Sequence, residues 1–314
     1  MSRRAALAGL SAMAVGGLAG ATDRRPFFKR VGLPLGVQLY TLGPDLAADF
    51  EGTLQQVARI GFETVELAGF LGRTAAQLRS AFDRAGLRCT SAHVPARPLG
   101  PADDDTLEDI PKLIDDAHVL GLRNIVLPLF PLPRSAGAPR AGESPLAFFI
   151  RAGQLMSADD WRACADLLNT KSSALQKAGL QMAYHNHNFE FAPQGAGTGF
   201  TILMERTDPK LVSFEMDAGW VAAAGLDPLA LLKRYPGRFR LMHVKDIEAS
   251  TPANYALQQN PTEVGSGHIA WARILPAAYR AGIRSFFVEQ EPPFRGTRLA
   301  SIAKSFEFLM SLEV

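Results

Sequence analysis

From residue 35 to the C-terminus, short apolar runs with β-branched residues alternate with longer segments whose apolar positions recur at helical spacing. The runs predict strands over Leu35–Tyr40, Glu63–Leu67, Arg88–His93, Asn124–Leu129, Gln181–His185, Leu211–Asp217, Arg240–Lys245 and Ser285–Glu289. The segments between them predict helices around Ala47–Ile60, Thr74–Ala85, Leu107–Leu120, Ala158–Ala178, Phe200–Arg206, Pro228–Tyr235, Ala270–Ala281 and Leu299–Leu312. Gly61, Gly86, Gly121, Gly179 and Gly282 each stand between a helical segment and the next strand, where a left-handed residue closes a helix. A βα unit repeated this often favours a closed (β/α)8 barrel over an open sheet. No Gly-x-Gly-x-x-Gly turn follows the first strand, which argues against a dinucleotide-binding fold.

In such a barrel the carboxyl ends of all strands open on one face, so polar residues that end strands converge there whatever their separation in sequence. Tyr40, Glu66 and His93 close the first three strands. The last four end in His185-Asn-His-Asn-Phe-Glu190, Glu215-Met-Asp217, His243-Val-Lys-Asp246 and Val288-Glu-Gln-Glu291. The fourth strand lacks a titratable end and opens a Pro/Gly/Ser-rich stretch to about Ser157, expected to be a lid or subunit-contact loop. His118 and His268 read as structural or peripheral.

The remaining composition narrows the classes. The 33 Lys and Arg against 31 Asp and Glu leave a net charge of +2, of which Arg3 and Arg4 are part, so nothing favours nucleic acid as a partner. Met1 to Ala21 carries Arg3-Arg4, an uncharged run of about 17 residues, slightly short of a membrane span, and Ala19-Gly-Ala21. It reads as a cleaved twin-arginine export signal, giving a periplasmic or extracellular protein with no stable membrane insertion. The expected organisation is a signal over 1–21, a linker over 22–32 and one barrel over 33–314. Cys89 and Cys164 are expected to be unpaired core residues.

The chain resembles the sugar phosphate isomerase/epimerase superfamily of xylose-isomerase-like barrels, which includes tagatose epimerase, inosose dehydratase and 3-keto-glycoside-processing enzymes. The resemblance covers residues 33–314 and is carried by Val37–Leu42, Gly61–Leu67, Tyr184–Phe191, Met216–Trp220, His243–Asp246 and Val288–Glu291. It implies one divalent ion, expected to be Mn²⁺ with Co²⁺, Fe²⁺, Zn²⁺ or Mg²⁺ as alternatives, on Asp217, His243, Glu289 and a carboxylate of the fifth strand. That strand reads Tyr184-His-Asn-His187 where some relatives have glutamate, so Glu190 is taken as the fourth ligand, with His185 or His187 as substitutes.

The implied chemistry is proton abstraction beside a sugar carbonyl, giving isomerisation or epimerisation through an enediolate, or β-elimination from the same intermediate. His187 and Glu190 are the base candidates and Lys245 the oxyanion partner. Tyr40, Glu66, His93, His185, Trp220 and Glu291 are left to contact the substrate, although Glu66 could instead cap a helix or pair with an arginine. No glycine-rich anion loop follows the last strands, so the expected partner is an unphosphorylated sugar or glycoside; a second copy of the chain is a further candidate partner. A sugar-binding barrel without catalysis is the reading from another class.

Overall fold

The computed structural model of the protein describes residues 25–98 and 105–314; the export signal expected over 1–21 lies outside the described residues. Eight parallel strands, β1 (Gly36–Gln38), β2 (Thr64–Ala68), β3 (Arg88–His93), β4 (Asn124–Leu127), β5 (Gln181–His185), β6 (Val212–Asp217), β7 (Phe239–Val244) and β8 (Ser285–Val288), pair in chain order and close between β1 and β8. The closed barrel with helices between its strands is the expected fold. Gly61, Gly86, Gly121 and Gly282 end their helices in the left-handed conformation, as the punctuation required. Among the described residues, no helix is long and apolar enough to cross a membrane.

Side chains alternate in and out along each strand, and this builds two separate apolar regions. Outward residues such as Tyr184, Phe214, Met242 and Phe286 join the large core between barrel and helices. Inward residues Val126, Ala183, Leu241 and Phe287 form a small plug inside the barrel. Gly36 makes room for that plug, because a Cβ there would stand 2.5 Å from the Phe287 ring. Two residues on from Ala183, Leu241 and Phe287 come His185, His243 and, just past the end of β8, Glu289, so the layers above the plug are polar.

Several local expectations change. The first strand stops at Gln38 and a 3-10 turn, Leu39–Leu42, follows, because the Gln38 side chain accepts the Tyr40 N–H. The helix expected over Ala47–Ile60 is broken at Asp49, whose carboxylate caps Phe50–Ile60 by accepting from the Gly52 N–H. Within 22–32, expected to be a linker, Phe27–Val31 is helical and buries Phe27 and Phe28 against Phe286. The long stretch after β4 holds a helix, Pro145–Gln154, capped by Ser144. There Arg151 is fixed by Glu143 at 2.7 Å and by the Ala136 carbonyl at 2.7 Å. Cys89 and Cys164 are buried and unpaired, as expected.

Candidate active site at the barrel mouth

The fifth-strand motif divides its labour. Asn186 ties β5 to β6, its Oδ1 accepting the Asp217 N–H at 3.2 Å and its Nδ2 donating to the Asp217 carbonyl at 3.3 Å. Asn188 reaches the loop after β7, donating to Asn254 and accepting the Leu257 N–H. The histidines between them are thereby held at the mouth. Asp217 ends β6 and caps the short helix Ala218–Ala223 with Oδ1, which accepts the Trp220 N–H at 2.8 Å. Its other oxygen is left for the site.

Two layers of titratable side chains fill the barrel above the plug. In the inner layer, Glu215 Oε2 lies 2.9 Å from His93 Nε2, 3.0 Å from His185 Nδ1 and 3.2 Å from His243 Nε2. Glu66 Oε2 lies 2.6 Å from His243 Nε2 and 3.3 Å from His93 Nε2, and accepts from Gln38 Nε2 at 2.9 Å. Glu66 therefore pairs with imidazoles, and neither caps a helix nor meets an arginine. In the outer layer, Lys245 Nζ stands 2.9 Å from Asp217 Oδ2, 2.8 Å from Glu289 Oε2 and 2.8 Å from Glu291 Oε1. His243 joins the layers, its Nδ1 lying 2.9 Å from Glu289 Oε2.

The protonation states follow from burial set against neighbouring charge. Burial alone would neutralise His93, but Glu66 and Glu215 push it up to about 9. His243 is raised well above the usual imidazole range because Glu215 and Glu289 outweigh its burial. Burial wins at His185, which stays neutral. His187 is lowered to about 3 by burial and by the nearby Lys245 ammonium; its Nδ1 is buried without a partner. Lys245 is raised well above its usual value, because Asp217 and Glu289 outweigh its burial, and so stays an ammonium.

Glu190 is where the expectation fails. It is fully buried, but its carboxylate accepts from the Tyr184 hydroxyl at 2.8 Å and from the His187 N–H at 2.9 Å. Its two oxygens are thus taken up by Tyr184 and the His187 backbone, and Glu190 is not among the side chains that converge with Asp217, His243 and Glu289; it braces the His187 loop instead of completing a ligand set. Burial pushes it up to about 8 from an ordinary 4.5, so the carboxyl is protonated in the fold where it would be ionised in the unfolded chain. Its contribution to stability is complete below about pH 4.5 and is lost as pH rises through about 8. Glu190→Gln lacks that loss. The melting temperature of the variant relative to wild type is expected to climb between pH 5 and pH 9; a difference independent of pH would refute the buried neutral carboxyl.

Of the expected substrate contacts, His93, His185 and Glu66 lie in the inner layer, and Glu291 pairs with Lys245 at the rim. Tyr40 is 57% exposed. Trp220 is buried beneath Lys245, whose Nζ stands 4.9 Å from the ring centroid, so the ring lines the lysine's chamber instead of an open face. Glu215 carried no assigned role in the sequence, although its spacing from Asp217 puts both on the inward face of β6. His118 and His268 each bond a backbone carbonyl, of Ala178 and Ile247, as structural residues do.

Among the described residues, two sets of side chains could hold a metal ion: His93, His185, Glu215 and His243, and Asp217, His243 and Glu289, the candidate ligand atoms in each lying within 4.8 Å of one another. Glu66 Oε1 and Glu215 Oε1 are buried without a hydrogen-bond partner, a cost that a bound cation would remove. Mixed imidazole and carboxylate donors suit Mn, Fe, Co or Zn.

The sequence profile described as "Xylose isomerase-like TIM barrel" matches residues 54–312. The chain belongs to this family. Within it, the chain is 26% identical over 286 residues to inosose dehydratase 2 of Bacillus cereus, covering 85% of this chain and 89% of that one. A second inosose dehydratase of B. cereus is 28% identical over 210 residues, and the chain spans 66% of its length, just under two thirds. A solved sugar phosphate isomerase/epimerase from Parabacteroides distasonis is 26% identical, with a TM-score of 0.67 over 89% of this chain and 94% of that one. Relatives of this barrel are thus enzymes of the isomerase, epimerase and dehydratase classes.

Proposed function

We propose that this protein is a sugar isomerase/epimerase that removes the proton beside the carbonyl of an unphosphorylated keto-sugar or sugar derivative. The observation that carries the reading is the convergence of Lys245, Asp217, Glu289 and the free-sided His187 at the mouth, above an inner layer fit for a divalent ion. Such an ion, Mn²⁺ in our reading, would polarise the carbonyl and stabilise charge on its oxygen when bound. His187, a neutral imidazole with a partnerless Nδ1, takes the proton from the α carbon. The electron pair of that C–H bond becomes the C=C bond of an enediolate while the carbonyl oxygen gains negative charge. Lys245, fixed as an ammonium, stabilises that oxygen. Return of a proton to the opposite face gives the epimer, and to the neighbouring carbon the isomer.

Unphosphorylated substrate is supported by the turn after β7. The backbone N–H groups of Gly265, Gly267 and Ile269 all donate to the buried Asp246 carboxylate, so they are not available to cradle a phosphate. The Arg3-Arg4 leader supports an exported protein acting on sugars outside the cytoplasm.

A dehydratase reading is favoured by the inosose dehydratases to which the chain is 26% and 28% identical. It shares the first step and then expels a β-hydroxyl as water. Metal-supplemented protein incubated in D₂O with keto-sugars, inososes and 3-keto-glucosides is expected to place deuterium on the α carbon, read by NMR. An epimer or isomer supports the first reading, a dehydrated product the second, and no exchange across the panel overturns both.

A further inference from the structure

We propose that the protein binds a small, multiply charged oxyanion, one bearing phosphate or carboxylate groups, in a cavity at the closed end of the barrel, opposite the mouth. The site is independent of the sugar chemistry above.

The repeated βα unit places the charges there. Gly86, Gly121 and Gly282 end their helices, and the chain turns at once into β3, β4 and β8. Arg88, Arg123 and Arg284 each stand two residues after such a glycine. The same point of each unit falls at the same end of the barrel, and β8, β1, β2, β3 and β4 are neighbours around it. Between them lies a cavity of about 880 Å³ lined by these three arginines, by Lys29 of Phe27–Val31 and by Arg79 of the helix Ala75–Ala85. Its volume is that of a small-molecule site. Arg79 reaches across to the turn that leads into Arg123, since its Nη1 would stand 3.6 Å from a Cβ at Gly121.

Five cations thus face two carboxylates, and both carboxylates are already used. Glu63 lies 3.4 Å from Arg88 and Asp83 lies 2.9 Å from Arg79. The ordinary reason for cations at this end is the partial negative charge on the last carbonyls of each helix. Arg284 answers to it, its Nη1 donating to the Tyr279 and Ile283 carbonyls at 2.7 and 2.8 Å while its guanidinium lies 4.1 Å over the Tyr279 ring. Arg123 and Lys29 do not, for neither has a side-chain partner among the described residues. Charges of one sign gathered in a concavity with low-dielectric walls strengthen one another's field and attract a counter-ion.

Guanidinium forks take phosphate and carboxylate oxygens two at a time. Cations brought from several elements call for more than one charged group on the ligand, and an uncharged sugar would leave them unanswered. The plug of Val126, Ala183, Leu241 and Phe287 fills the barrel between this cavity and the mouth. A ligand here therefore does not touch the reacting atoms and acts by stabilising the fold to which it binds.

The test is calorimetric titration of the purified, metal-stripped protein with sodium pyrophosphate and, separately, with sodium citrate. One equivalent of at least one anion is expected, with Kd below about 1 mM, weakening about tenfold or more between about 20 and 200 mM salt. The melting temperature should rise by about 3 °C or more at saturating anion. Tighter pyrophosphate marks a phosphate ligand, and tighter citrate a carboxylate one. Arg123→Gln and Lys29→Gln change exposed side chains, so both variants should fold, and each should weaken binding by about fivefold or more. Weaker or unsaturable uptake of both anions, or binding unchanged in the double variant, overturns the site. Sedimentation with phosphatidylglycerol vesicles without binding of either free anion would show a flat docking face and also overturn the cavity.

Discussion

Lys245→Met is expected to lower stability by about 3–5 kcal/mol, the usual cost of removing one partner from a buried ion pair. It is also expected to slow α-deuterium exchange by on the order of 10²-fold. Methionine keeps the unbranched stem that runs over Trp220 and past Gly219, where a Cβ would stand 2.7 Å from Lys245 Cγ, so lost packing contributes little. What disappears is the one ammonium facing Asp217, Glu289 and Glu291, in a chamber where Lys245 is 1% exposed and Asp217 is not exposed at all. Glu289, which Lys245 and His243 hold ionised well below the usual carboxylate range despite its burial, would then need a proton or another cation. Thermal melts measure the first effect and exchange well below the melting temperature the second. A melt within about 2 °C of wild type, about 1 kcal/mol for a domain of this size, would show that the three carboxylates remain hydrated and would refute the chamber.

Asp246→Ala is expected to cost about 4 kcal/mol or more without touching the site chemistry directly. The Asp246 carboxylate accepts from the N–H groups of Ile247, Gly265, Gly267 and Ile269 and from the Trp271 indole, at 2.9 to 3.3 Å. Each buried donor left unsatisfied costs about 1–3 kcal/mol, less where the glycine turn lets water in. Asp246→Asn keeps the shape but turns an amide donor toward other donors, so it should recover only part of the loss. Urea unfolding measures both. A loss under about 1 kcal/mol for the alanine variant would mean that the turn hydrates freely and that Asp246 does not organise it.

The contrast between Lys245 and Asp246 shows how far a strand-end motif can be read. His243-Val-Lys-Asp246 is four residues of apparently similar promise, and the period-2 alternation correctly places His243 and Lys245 on one face. It cannot show that Asp246 is used up by a turn some twenty residues later. Glu190 is the same problem in reverse. It was the only carboxylate near the fifth strand's end, but the chain turns through Phe189–Phe191 and points it at Tyr184, on the outer side of the barrel wall. Glu215 was legible by spacing from Asp217, yet only the closed barrel brings it against histidines from β3, β5 and β7. In the stretch after β4, the helix at Pro145 had its own signal in Ser144-Pro145, an N-cap followed by proline, obscured by the glycines and prolines around it.

The sequence by itself determined the barrel, because alternation of apolar runs, helical periods and closing glycines is local physics, and each unit carries its own signal. It also determined that polar side chains would gather at one mouth, since strand direction in a parallel barrel is shared. Which of them meet, which are consumed by caps and turns, and which cation each carboxylate faces were decided only by the tertiary structure. Those outcomes depend on distances between residues far apart in the chain, on burial that sets the cost of an unpaired charge, and on single slots such as the one Gly219 leaves for Lys245.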